Sequence, residues 1–126
     1  MTTEKAKQFF LPHLRGICNL PPSFNPFYEE GRAESSAWVA SFNPFADRRR
    51  ENFVNTSVQL LVAYTYPYAP LEKFRIICDF VSLLFVIDEV SDEQTGEDAR
   101  NTGEVHYDVL SGKPCDGSLV SRMTAE

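Results

Sequence analysis

Histidine and cysteine are scarce in this 126-residue chain, with two of the former and three of the latter. Cys18, Cys78 and Cys115 are an odd number without CxxC spacing, so neither a disulfide framework nor a zinc site follows, and a reduced, cytoplasmic setting is expected. Long hydrophobic runs are also missing. The longest mainly apolar stretch, Phe80 to Ile87, is interrupted by Ser82 and falls far short of the ~20 residues of a membrane-spanning helix. The opening MTTEKAKQFFLPHL lacks the apolar centre of a secretion signal, so neither span nor leader is expected. Basic residues are outnumbered, 12 against 18 acidic ones, for a net charge of −6. Residues 1–50 hold seven bases and five acids, whereas 51–126 hold five bases and thirteen acids. Such a chain is repelled by phosphate backbones, and Arg48 to Arg50 is too short a basic run to offset that, which excludes nucleic-acid binding. Strand alternation, hairpin signals and internal repeats are absent as well, so the expected fold is all-α.

The apolar content of 43% suits one ordinary domain over 1–126. Residues 1–27 read as an irregular arm, because Pro12, Pro21, Pro22 and Pro26 break any helical pattern. Core helices are expected over 28–93. The first covers Tyr28 to Phe42, with Ala33, Ala37, Trp38, Val39 and Phe42 at helical spacing and Glu29 and Glu30 at its start. Phe45 to Asp47 and the arginine run read as a turn, followed by a second helix from Phe53 to Tyr66 that Pro67 and Pro70 end. Pro70 then suits the first residue of a long third helix through Phe74, Ile77, Cys78, Val81, Leu84 and Phe85. Residues 94–126 read as a connection and the start of further helices: Gly96 as a stop, a short helix through Val105, Val109 and Leu110, and a new element at Leu119 and Met123.

The chemistry lies at the end of the third helix. On a helical wheel Asp88 falls on the stripe of Phe74, Ile77, Val81, Leu84 and Phe85, and Asp92 lies one turn further along it. Two carboxylates on the apolar face repel each other, oppose the negative end of the helix dipole and lose hydration, yet no base stands three or four residues from either. A cation would compensate them. Asp88, Glu89, Asp92 and Glu93 are hard oxygen donors without interleaved His or Cys, which suits Mg²⁺, and Mg²⁺ commonly uses one or two carboxylates plus waters and substrate phosphates. The bland alternative is the solvated end of a core helix.

Phe85-Val86-Ile87-Asp88-Glu89-Val90-Ser91-Asp92 resembles the aspartate-rich segment of fungal class I terpene synthases, especially basidiomycete sesquiterpene synthases. Asn25-Pro26-Phe27-Tyr28-Glu29-Glu30, Glu34-Ser35-Ser36-Ala37-Trp38, Tyr66-Pro67 and Cys78-Asp79-Phe80 also resemble that family's N-terminal helices, in the same order. The resemblance implies a Mg²⁺-dependent carbon–oxygen lyase that ionises a prenyl diphosphate, farnesyl diphosphate in the first instance, and cyclises the carbocation. It further implies that Asp88 is the metal-bridging catalytic aspartate, that Glu89 and Asp92 support it as metal ligands, and that Leu84 and Phe85 line the substrate pocket.

The family's second metal motif, Asn-Asp-x-x-Ser-x-x-x-Glu, and its diphosphate-binding Arg-Tyr pair do not occur in the chain. The expectation is therefore an N-terminal, truncated part of the class I terpenoid synthase fold, inactive alone. A rival reading is a non-catalytic helical protein or pseudoenzyme whose uncovered Phe74 to Phe85 face binds a partner or makes a homodimer. His13 and His106 lack any nucleophile motif and are read as structural or surface residues, Cys78 as core, Trp38, Tyr64, Tyr66 and Tyr68 as packing, and Arg75 with Asp79 as a structural ion pair.

Overall fold

The computed structural model describes residues 9–126, and of Asp47 the backbone alone. The part of the arm over 1–8 lies outside the described residues. From Phe9 to Phe27 the chain is irregular except for one 3-10 turn at Leu14–Gly16, as the prolines dictate. The helices that follow are α1 (Tyr28–Phe42), α2 (Asp47–Asn55), α3 (Val58–Thr65), α4 (Leu71–Ser91), α5 (Gly96–Leu110) and α6 (Leu119–Ala125). No strand occurs among the described residues, so the all-α expectation holds.

Asn25 ties the arm to the α3–α4 turn. Asn25 is fully buried, its Nδ2 donating to the carbonyls of Tyr66 (2.8 Å) and Ala69 (2.9 Å) while its Oδ1 accepts from the Phe27 N–H (2.9 Å). Its own N–H donates to the Ala63 carbonyl at 3.1 Å. A short amide side chain thus satisfies the backbone of the α3–α4 turn, where buried carbonyls would otherwise lose their hydration.

Helix α4 is the centre of the molecule, packed by α1 on one side and α3 on another. Its buried row is Phe74, Cys78, Ser82 and Val86, at four-residue steps, with Leu83 beside it. Phe74 and Cys78 join Val62 and Ala63 in one apolar cluster, and Leu83 and Val86 join Val39, Phe45 and Met123 in another. Close approach of α1 needs a glycine: a Cβ on Gly31 would lie 2.5 Å from Phe74 Cδ1 and 2.6 Å from its Cε1. Ser82, the polar member of the row, receives a hydrogen bond from Gln59 Nε2 at 3.4 Å, so the buried hydroxyl is paired.

Five sequence expectations are corrected. The helix expected over Phe53 to Tyr66 is two, α2 and α3, broken at Ser57, whose φ of 53° is left-handed. The cause is local, because the Thr56 hydroxyl donates to the Asn52 carbonyl (3.0 Å) and short polar side chains here compete for the backbone. The arginine run is not a turn but part of α2, since arginine is a good helix former whose helices periodicity overlooks when apolar residues are few. Pro70 is the N-cap of α4 rather than its first residue, and its carbonyl accepts the first helical bond from Phe74 N–H at 2.8 Å. Gly96 opens α5 instead of stopping α4: the Thr95 hydroxyl accepts from the Asp98 N–H at 3.2 Å, and Glu97 and Asp98 occupy the first turn. The short helix expected near Val105 is accordingly the end of a fifteen-residue one.

Candidate metal centre

A second row runs along α4, also at four-residue steps: Ile76, Phe80, Leu84, Asp88 and Asp92. Unlike the buried row it faces outward, with Ile76 60%, Phe80 46% and Leu84 41% exposed. Asp88, Glu89 and Asp92 are exposed and Phe85 is half-buried. The expectation that Asp88 and Asp92 share the buried face is therefore wrong for this chain. Nearly every side of α4 is apolar, and periodicity alone does not tell which side α1 and α3 cover.

The four acids are not equivalent. Arg49 of α2 reaches the end of α4, its Nη1 lying 2.7 Å from Glu93 Oε2 and its Nη2 3.8 Å from Glu89 Oε2. Nη2 also donates to the Glu89 carbonyl at 2.9 Å. A base does reach this end of α4 from 40 residues upstream, but its partners are the two glutamates and not Asp88 or Asp92. No local spacing signals it. Among the described residues no ion pair engages Asp88 or Asp92, which stand one turn apart where α4 stops, Asp92 being its C-cap.

Among the described residues no group of three or more His, Cys, Asp or Glu converges to hold a metal ion. A protein-only cage is therefore not built here. The donors nevertheless fit Mg²⁺, which keeps most of its waters and takes one or two carboxylates, the remaining oxygens coming from substrate phosphate. Asp88 and Asp92 would be that pair. Their exposure leaves room for waters and a bulky anion.

Arg75, Asp79, Cys78 and His106 have structural roles. Arg75 Nη2 lies 3.2 Å from Asp79 Oδ2 and its Nη1 3.7 Å from Glu34 Oε2, the ion pair read from the sequence extended across to α1. Burial pushes the Asp79 carboxyl above its usual range, with the Arg75 guanidinium opposing. Cys78 is a core residue, as expected, and burial pushes its thiol up to about 12. His106 Nδ1 is 2.9 Å from the Thr124 hydroxyl, a bond between α5 and α6. Trp38 packs edge-to-face on Phe42 with centroids 5.3 Å apart, while Tyr64, Tyr66 and Tyr68 are exposed at 53%, 49% and 86% rather than packed away. No helix among the described residues is long and apolar enough to cross a membrane.

No protein-family profile matches the chain. Individual curated proteins do. It is 48% identical over 120 residues to the bifunctional terpene synthase Agr4 of Cyclocybe aegerita, covering 94% of this chain and 35% of that protein. It is 37% identical over 106 residues to a Δ(6)-protoilludene synthase of Stereum hirsutum, 84% of this chain and 29% of that one. A linoleate 10R-lipoxygenase of Coprinopsis cinerea, COP4, is 47% identical over 122 residues, 96% of this chain and 35% of the other. The chain thus spans about a third of the length of the curated relatives it matches. The lipoxygenase name stands apart from the terpene synthases. An oxygen-activating iron site of the facial-triad kind needs two histidines beside a carboxylate. Here His13 sits in the arm and His106 on α5, and among the described residues no three His, Cys, Asp or Glu converge.

Proposed function

The chain belongs to the basidiomycete-type terpene synthase family, as a segment about a third of such a protein, and from that premise we propose that it carries the part that ionises a prenyl diphosphate. The observation carrying this reading is the outward row of α4, which passes from Ile76, Phe80 and Leu84 to Asp88 and Asp92. A prenyl diphosphate has the same polarity, a hydrocarbon tail joined to a charged head. Ile76, Phe80 and Leu84, with half-buried Phe85, would hold the tail, and the carboxylates would receive the head through Mg²⁺.

Mg²⁺, when bound there, would supply Lewis acidity that neutralises the diphosphate and lets it leave with the bonding electron pair. Two carboxylates at the helix terminus fix where that happens. Asp88, directly beyond Leu84, is the primary ligand and Asp92 its support. The Phe80 ring, exposed along the same row, offers a π face to the allylic cation left behind. Farnesyl diphosphate is the substrate that the sesquiterpene synthases among the relatives suggest. Alone the chain gives no hydrocarbon, because the second metal motif and the Arg-Tyr pair that the family resemblance assigns to the reaction are not in its sequence.

The test is a chimera in which this segment replaces the matching 120 residues of the Cyclocybe aegerita terpene synthase. With farnesyl diphosphate and Mg²⁺ the chimera should form hydrocarbon detectable by gas chromatography, and Asp88→Asn should cut turnover by roughly a hundredfold or more. An active chimera indifferent to Asp88→Asn would refute the reading. It would leave the outward row as a face for a protein partner.

A further inference from the structure

Resting on the metal reading above, we infer that Arg49 is a positioning residue that sorts the acids at the end of α4 into two sets, holding Glu89 and Glu93 as anchors and leaving Asp88 and Asp92 to the cation. The sorting follows from the contacts. Helix α4 has no basic residue in its last turn, where the dipole is negative and carbonyls lack helical partners. Arg49 supplies the missing charge from α2. Its guanidinium donates to the Glu89 carbonyl at 2.9 Å, lies 2.7 Å from the Glu93 carboxylate and 3.8 Å from that of Glu89, and has its Cζ 5.3 Å from the centroid of Phe45. Phe45 is itself only 5% exposed, and packs at 5.2 Å on Phe53 of the same α2. The fork is thus held by a fixed ring, a backbone oxygen and two carboxylates.

Asp88 and Glu89 are neighbours in sequence but about 100° apart around the helix. Glu89 is drawn toward α2, and Asp88 continues the outward row. The guanidinium on that flank, 2.7 Å from the Glu93 carboxylate and 3.8 Å from that of Glu89, is a positive charge that repels a second cation from either. Glu89, expected from the family resemblance to be a supporting ligand, is thereby reassigned as an anchor of the helix end.

The experiment titrates the ¹⁵N-labelled 126-residue chain with Mn²⁺, the paramagnetic stand-in for Mg²⁺, and follows broadening of the Asp88 and Asp92 amide resonances; circular dichroism confirms that each variant keeps its helicity. Asp88→Asn should abolish the broadening, whereas Glu89→Gln should leave the midpoint within about twofold, the scale of one exposed charge contact. Arg49→Gln should free Glu89 and tighten Mn²⁺ binding by roughly fivefold. In that background Glu89→Gln should cost roughly the same fivefold, so the two changes are not additive, whereas simple charge effects would add. Arg49→Lys, which keeps the charge but not the fork, should fall between, and it carries the test with Glu89→Gln if Arg49→Gln loses helicity. Additive effects, or a Glu89→Gln loss as large as that of Asp88→Asn, overturn the assignment of Arg49 and leave the metal reading standing. Absence of broadening near Asp88 in the unsubstituted chain overturns both.

Discussion

Replacing Gly31 with alanine sets two opposing effects against each other. In the interior of a helix such as α1 the substitution normally stabilises by roughly 0.5–1 kcal/mol, because glycine loses more backbone freedom on folding. The new methyl, however, would lie 2.5 and 2.6 Å from two ring carbons of Phe74. Phe74 is completely buried, so its ring has no space to swing into, and either the ring leaves its rotamer or α1 and α4 move apart. Overpacking of this kind costs about 1–3 kcal/mol, and the difference is a net loss of about 1–2 kcal/mol. For a domain of this size that corresponds to a fall of about 3–8 °C in Tm, measurable by circular dichroism in thermal and urea unfolding. Phe74→Leu in the same chain should recover part of the loss by giving the methyl room. A Gly31→Ala chain as stable as the original, or more so, would show that α1 and α4 are not in the close contact described.

Asn25→Ala should destabilise by about 2–4 kcal/mol, since it strands the Tyr66 and Ala69 carbonyls and the Phe27 N–H together; urea unfolding measures it, and a loss below about 1 kcal/mol would mean that water replaces the side chain. Arg75→Met should cost about 1–2 kcal/mol at pH 7 and less near pH 4. The sign follows from Asp79: its carboxyl titrates higher folded than unfolded, so the folded chain binds more protons above the ordinary aspartate range and stability falls as pH rises. At low pH the neutral carboxyl no longer needs its guanidinium. Urea midpoints at the two pH values check this, and an equal loss at both would contradict it.

The first helix was legible to the residue, because Pro26 ahead of it and the Ala-Trp-Val-Phe spacing within it agree with what α1 packs against. The α4 stripe was legible in content but not in orientation. Ser82 argues against burial by composition, yet Gln59 pairs it and the Phe74 to Val86 row goes inward; Leu84 argues for burial, yet the row through Asp88 goes outward. Which row is covered depends on where α1 and α3 land. That is a long-range fact which no window of one helix contains. Arg49 was hidden for the same reason, its partners being 40 and 44 residues away. Thr95 with Asp98 was a readable helix start that the neighbouring Gly96 obscured, since glycine after an acidic helix end resembles a stop as much as a beginning.

Helix α2 holds no buried residue among those described, hanging between a left-handed Ser57 on one side and the Phe45 turn on the other. Segments fastened this lightly open on their own, well before the rest of a domain melts, and their amides exchange with solvent at a fraction of the global free energy. Because Arg49 travels with α2, warming the protein would loosen the grip on the carboxyl end of α4 while the Phe74 core is still closed. The acidic terminus would thus have its own transition temperature, lower than that of the fold that carries it.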